Sequence, residues 1–376
     1  MNENLSTKGH TMQTGRDTIN HLIHKQQADY VPQMDSPWGD TLKKWVAQGL
    51  PANAKGEPGD PTDHFGYDMA GCGGWFDWLP RRGFSETVEE TDEWKTTRNG
   101  AGAVLKYWKE KSGTPEHVDF HMTSRAIWDR EYKPLFFPFD RERVGDVKAQ
   151  RENLARWRAQ GKWTHFGSTF VWENMRASMG DYAMFTALVE DPEWVHDFCR
   201  TMTDLYKQCY TILFAEAGLP DGIWIYEDLG YRDRLFCSPH VLEEVIFPYF
   251  KEMVDFFHGH GLPVILHSCG YQEAALPLIV QAGFDGLNPM EVKAGNDIFK
   301  YAEQYGDRLL FVGGLDARIL ESHDRAAIRR GVTAFLDGMK ARGARFVYGS
   351  DHSLSTNIDY ADYLFSLEVY REHRAW

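Results

Sequence analysis

Positive charge is what this chain is short of. Its 41 lysines and arginines face 55 aspartates and glutamates, for a formal net charge of -14. A nucleic-acid binder needs a basic face, so that class of partner is excluded. Long apolar runs are missing as well. No stretch approaches the roughly 18 to 20 residues that a membrane helix needs, so no membrane association is expected. Cysteine is scarce and odd in number: Cys72, Cys199, Cys209, Cys237 and Cys269 lie far apart, which argues against a disulfide framework. Residues 1–17 are polar, lack the apolar core of a secretory leader and read as a mobile tail. A cytoplasmic location is the expectation. There is no internal repeat, low-complexity tract or visible linker, so residues 18–376 read as one domain.

What is present is apolar and aromatic. Hydrophobic residues make up 43% of the chain, with 13 Trp, 17 Tyr and 23 Phe, enough for a large core. In the second half, short continuous apolar runs recur at Gly222 to Tyr226, Pro263 to Leu266, Gly286-Leu287, Leu309 to Val312 and Arg345 to Tyr348. Such runs suit parallel strands covered on both faces. Between them lie helical segments with recognisable ends. Ser238-Pro239 opens one as N-cap and first-turn proline, Gly283 and Gly306 close two more, and His323 to Lys340 forms a fourth. Regular alternation of strand and helix predicts βα units around a parallel sheet. His165 to Phe170 reads as an earlier strand, whereas Gly49 to Pro80, rich in Gly, Pro and Asp, reads as an irregular insertion or lid. The fold class is therefore α/β, a distorted (β/α)8 barrel with an irregular N-terminal insertion.

Polar residues follow each expected strand: Tyr226, Glu227 and Asp228; His267 and Cys269; Asn288 and Glu291; Asp316; Asp351 and His352. In a barrel all strand C-termini converge on one mouth, where active sites are built. His267 and Cys269 stand two apart, project from the same side of a strand, and together suit a borderline metal such as zinc. Glu227 and Asp228 are adjacent and point to opposite faces, so one reaches the mouth while the other pairs with an arginine such as Arg232 or Arg234. Glu227 is expected in the mouth, as a ligand or general base, with Asp351 as a further catalytic carboxylate. Tyr226, Asn288, Glu291 and Asp316 are the candidates for substrate contact.

Five ordered motifs carry a resemblance. Ser238-Pro239 with Phe247-Pro248-Tyr249, His267-Ser268-Cys269-Gly270, Gly283 to Pro289, Tyr305 to Arg308 and Gly313-Gly314-Leu315-Asp316 are similar to the uroporphyrinogen decarboxylase superfamily. That resemblance implies one of two chemistries. The decarboxylases carry an N-terminal Met-Arg-Gln-Ala-Gly-Arg type of motif, where this chain has Met34-Asp35-Ser36-Pro37-Trp38-Gly39. The other branch comprises zinc enzymes that exchange methyl groups with a corrinoid carried by a separate protein. Their ligands are a His-x-Cys pair, here His267 and Cys269, and a second cysteine after the last strand. This chain has Ser350-Asp351-His352 there, so the resemblance points to His352 as the third ligand, with Asp351 or Glu227 as substitutes. It implies a methyltransferase acting on a small methylated or methoxylated compound or thiol, with zinc and a corrinoid protein as partners; an oligomer is compatible with it. The alternatives are a metal-independent decarboxylase, with a basic cleft drawn from Arg125, Arg130, Arg141 and Arg143, and a non-catalytic barrel that binds a ligand.

Overall fold

A computed structural model describes residues 13–111 and 113–376. Seven short strands pair side by side into one parallel sheet: β1 (Met69–Gly71), β2 (Trp163–Thr169), β3 (Gly222–Tyr226), β4 (Val264–Ser268), β5 (Gly286–Pro289), β6 (Leu310–Val312) and β7 (Phe346–Val347). The five apolar runs of the second half are β3 to β7. β1 is the strand that the sequence hides. Its three residues lie inside the glycine-rich stretch read as irregular, and three residues are too few to display a period.

Helices cover the outer face of the sheet, and local chemistry sets their ends. Asp297 accepts from the amides of Phe299 and Lys300 to start Ile298–Tyr305. Asp324 does the same for Arg325–Ala341. Leu276–Ala282 stops at Gly283, whose φ of 93° favours a residue without a side chain. Thr14 caps a helix at Gly15–Ile23, so the final part of the expected tail is helical. The remainder, residues 1–12, lies outside the described residues.

Successive side chains on a strand point to opposite faces. One set of alternates, Trp163, Trp224, Ile265, Leu310, Val312 and Val347, packs inside the curve of the sheet. The other set packs outward against the helices. Between the two edges runs an extended segment: the Tyr348 amide donates to Pro32 O (2.7 Å), the Met34 amide to Tyr348 O (2.9 Å) and the Asp68 amide to Gln33 O (2.8 Å). Between β1 and β2 the chain forms a separate four-stranded antiparallel sheet over Ser85–Glu90, Trp94–Asn99, Val104–Trp108 and Glu116–Asp119. Lys106 lies over the rings of Trp94 and Trp108 there, 4.5 and 4.4 Å from their centroids. Among the described residues no helix is long and apolar enough to cross a membrane.

Candidate metal centre and its cavity

The register of the sheet builds the centre. His267 on β4 lies opposite Tyr226 on β3 and Asn288 on β5, so all three share the inner face. The same alternation carries inward past Tyr226 to Asp228, and past His267 to Cys269. One ligand-type atom from each of Asp228, His267 and Cys269 falls within 4.8 Å of the others. Cys269 Sγ is 3.4 Å from His267 Nε2, and Asp228 Oδ1 is 3.8 Å from that nitrogen.

Hydrogen bonds fix which atoms face one another. Asn288 Nδ2 donates to the Val312 carbonyl at 2.8 Å, which turns Asn288 Oδ1 toward His267 Nδ1 at 2.5 Å. An acceptor there places the imidazole proton on Nδ1 and leaves the Nε2 lone pair facing Cys269 and Asp228. Burial lowers the proton affinity of His267, which favours the neutral ring a metal needs. Burial, with the charges of Asp228 and Glu291, pushes the Cys269 thiol well up. Asp228 is held on both sides of its peptide: its carbonyl accepts from Trp172 Nε1 (2.7 Å), and the next amide, Leu229, donates to Ser268 Oγ (2.9 Å). Its carboxylate also accepts from the Cys269 amide (2.8 Å). Gly270, at φ 75°, lets this turn pass against Gly230, where a side-chain carbon would sit 2.5 Å from backbone. Nitrogen, sulfur and carboxylate donors from three residues fit zinc, with room for a fourth ligand.

Several expected roles change. Glu227 is fully buried on the outer face, where its carboxylate accepts from the amides of Phe170 (2.5 Å), Trp172 (2.6 Å) and Glu173 (3.4 Å). It caps the helix that follows β2, and Asp228 takes the inward position instead. Neither carboxylate has the expected arginine: Arg234 pairs with Asp233. Asp351 brackets two loops through the amides of Val292 (2.7 Å) and Ala317 (2.8 Å) and does not line the cavity. Glu291 accepts from the Gly270 amide (2.9 Å) and pairs with Lys293, and Asp316 caps the next helix and pairs with Arg318; neither lines the cavity. His352 lines the cavity, its Nδ1 3.3 Å from Ser353 O, but is not one of the three clustered donors.

Beside His267 opens a cavity of about 270 Å³, walled by Trp38, Trp224, Tyr226, Asn288, His352 and Asp35 among others. The Tyr226 ring lies 5.0 Å from that of His267 and 5.1 Å from that of the exposed Trp75. Tyr226 and Asn288, expected as substrate contacts, both line this cavity. Asp35 was not anticipated. It accepts from Ser350 Oγ (2.6 Å) and the Ser36 amide (3.0 Å), and burial raises its carboxyl to about 6. The departure at Met34-Asp35 from the arginine motif was the signal that could have found it. On the other side of Tyr226 is a second cavity of about 420 Å³, lined by Gly71 to Trp75, Gly167 and His165. His165 is buried with neither ring nitrogen partnered, and burial lowers its proton affinity to about 4. Cys72 is buried against Ala70 O and is not one of the three clustered donors.

The four arginines from which a decarboxylase's basic cleft was expected do not form one. Arg125 pairs with Asp191 and Glu193, Arg130 with Glu131 and Arg141 with Glu216. Arg143 is buried on the carbonyls of Asp77, Leu79, Pro80 and Leu135.

Residues 172–373 match the family profile described as uroporphyrinogen decarboxylase (URO-D). Among solved structures, a methyltransferase from Methanosarcina mazei superposes with a TM-score of 0.66 over 96% of this chain and 98% of its own, at 15% identity. An AP endonuclease, family 2, from Brucella melitensis reaches a TM-score of 0.32 at 11% identity, over 56% of this chain and 80% of its own. The 3-keto-D-glucoside 4-epimerase of E. coli reaches 0.34 at 10%, over 61% and 85%. No curated protein sequence matches the chain.

Proposed function

The chain belongs to the uroporphyrinogen decarboxylase family, and from that premise we propose that it is a zinc-dependent methyltransferase, moving a methyl group between a small methylated compound and a corrinoid protein. The observation that carries this reading is the meeting of Asp228, His267 and Cys269 at two adjoining strand ends, beside an aromatic cavity. The same fold in a methyltransferase supports it. We read the sheet, with the segment at residues 32–34 spanning its edges, as a closed (β/α)8 barrel, and the antiparallel sheet as an insertion that lies beyond the Gly49 to Pro80 stretch expected to form one. Five unpaired cysteines support a cytoplasmic setting.

In this reading His267, Cys269 and Asp228 hold the zinc, and His352 faces the substrate rather than the metal. Zinc supplies Lewis acidity, polarising a leaving group or keeping a thiol acceptor as thiolate at neutral pH. Asn288 keeps the His267 proton on Nδ1. Trp172 and Ser268 fix the Asp228 turn. Tyr226 and Trp224 exclude water from one wall of the cavity, and the corrinoid protein docks over the same opening. The absence of lysine and arginine from this cavity, among the described residues, favours methyl transfer over decarboxylation of a polyanionic ring.

Elemental analysis tests the proposal. About one zinc per chain is expected, lost in His267→Ala and in Cys269→Ser. Addition of a methylated corrinoid to the zinc-loaded protein with a thiol acceptor is then expected to change the corrinoid spectrum. A parent protein free of zinc after growth and purification with zinc would end the reading.

A further inference from the structure

The wall of the 270 Å³ cavity says something about its occupant. Its volume falls just under the roughly 300–1,000 Å³ typical of pockets for drug-sized ligands, so the occupant is small. Three aromatic side chains, Trp38, Trp224 and Tyr226, form part of its lining, and among the described residues Asp35 contributes the only carboxylate. Among the described residues no lysine or arginine lines it. An anionic substrate would find no counter-charge there, whereas a small cation meets ring faces and a carboxylate together. Aromatic rings beside an acid are the chemistry that recognises alkylated ammonium groups, whose diffuse charge gives up water cheaply.

We propose that this cavity binds a small quaternary or tertiary methylammonium compound and that this is the methyl donor. The proposal rests on the methyltransferase reading above and narrows its substrate class. In the transfer one N–CH3 bond breaks and its electron pair stays on nitrogen. The methyl passes as a cation equivalent to the reduced corrinoid, which supplies the electron pair of the new bond. A cationic donor thereby becomes an amine, whose freed electron pair takes up a solvent proton at neutral pH.

Asp35 lies on the wall of this cavity. Its own hydrogen bonds to Ser350 and Ser36 hold the carboxylate in position without cancelling its charge. Trp38, 37% exposed, stands on the solvent side of the cavity wall.

The test is calorimetric binding to the full-length protein, as purified and again after metal removal. The probes are choline and its uncharged carbon isostere 3,3-dimethyl-1-butanol. Choline is expected to bind about tenfold tighter than the isostere in both preparations. Asp35→Asn should bring the ratio close to one, and Trp38→Ala, at a half-exposed position that leaves the core intact, should weaken choline severalfold. Equal affinity of the two probes, or a choline preference that survives both substitutions, overturns the cation site. Choline binding seen only in the metal-loaded protein overturns it as well. Because the stripped protein is measured separately, a failed zinc reading does not decide this result.

Discussion

Replacing His165 by phenylalanine gives a prediction whose size follows from the structure. The ring is buried inside the sheet with centroids 6.1 Å from Trp163 and 5.1 Å from Trp224, and neither nitrogen has a partner. Burial lowers its proton affinity from 6.5 to about 4. Between those two pH values the unfolded chain takes up a proton that the folded protein refuses. Stability therefore rises with pH across this window and is lost as pH falls through it, by about 3 kcal/mol in all, at 1.36 kcal/mol per pH unit of displacement. Phenylalanine has no proton to bind and no donor or acceptor to leave unpaired. The variant should thus lose this segment of pH dependence. At pH 7 it should be as stable as the parent or more so, by on the order of 1 kcal/mol, since an unsatisfied buried polar group costs about 1–3 kcal/mol. Urea unfolding followed by tryptophan fluorescence, at half-unit steps from pH 4 to 7, measures the difference between the two proteins. A difference that stays flat across the window would refute the reasoning, as would a variant destabilised at pH 7 by more than about 1 kcal/mol.

Asp35 bends the same curve the other way. Its folded-state value of about 6 lies above its ordinary 3.8, so the folded protein keeps the proton longer and stability falls as pH rises through that interval; Asp35→Asn should gain up to about 3 kcal/mol at pH 7 in urea melts. Glu227→Ala should cost roughly 1–3 kcal/mol by exposing three helix amides without a partner, yet zinc content should not change, because Glu227 is on the outer face. Asn288→Ala leaves all three donors but frees His267 Nδ1, and should weaken zinc about 10- to 100-fold in competition with a chelating dye.

How much of this was readable beforehand depended on length and on neighbours. β3 to β7 announced themselves because continuous apolar runs flanked by capped helices have few other readings. β1 did not, since the three residues of Met69–Gly71 are too few to display a repeating pattern. The His267-Ser268-Cys269 step revealed two donors at once because both side chains lie on one strand. The third donor depended on which of two adjacent carboxylates points inward. The alternation that places Trp224 and Tyr226 inside also places Asp228 there, but only the register with β4 shows those two to be the inner residues. Asp351, Glu291 and Asp316 looked chemical because they follow strands. Each instead satisfies loop or helix amides, a need that sequence position does not reveal. Asp35 comes from a segment far away in the chain, brought to the mouth by its bonds to Ser350.

The central claim is that Asp228 completes the metal site begun by His267 and Cys269. Zinc affinity should be measured in the parent, in Asp228→Ala and in His352→Ala. The account predicts loss of at least tenfold in Asp228→Ala, with His352→Ala unchanged; loss in His352→Ala with Asp228→Ala unchanged would contradict it.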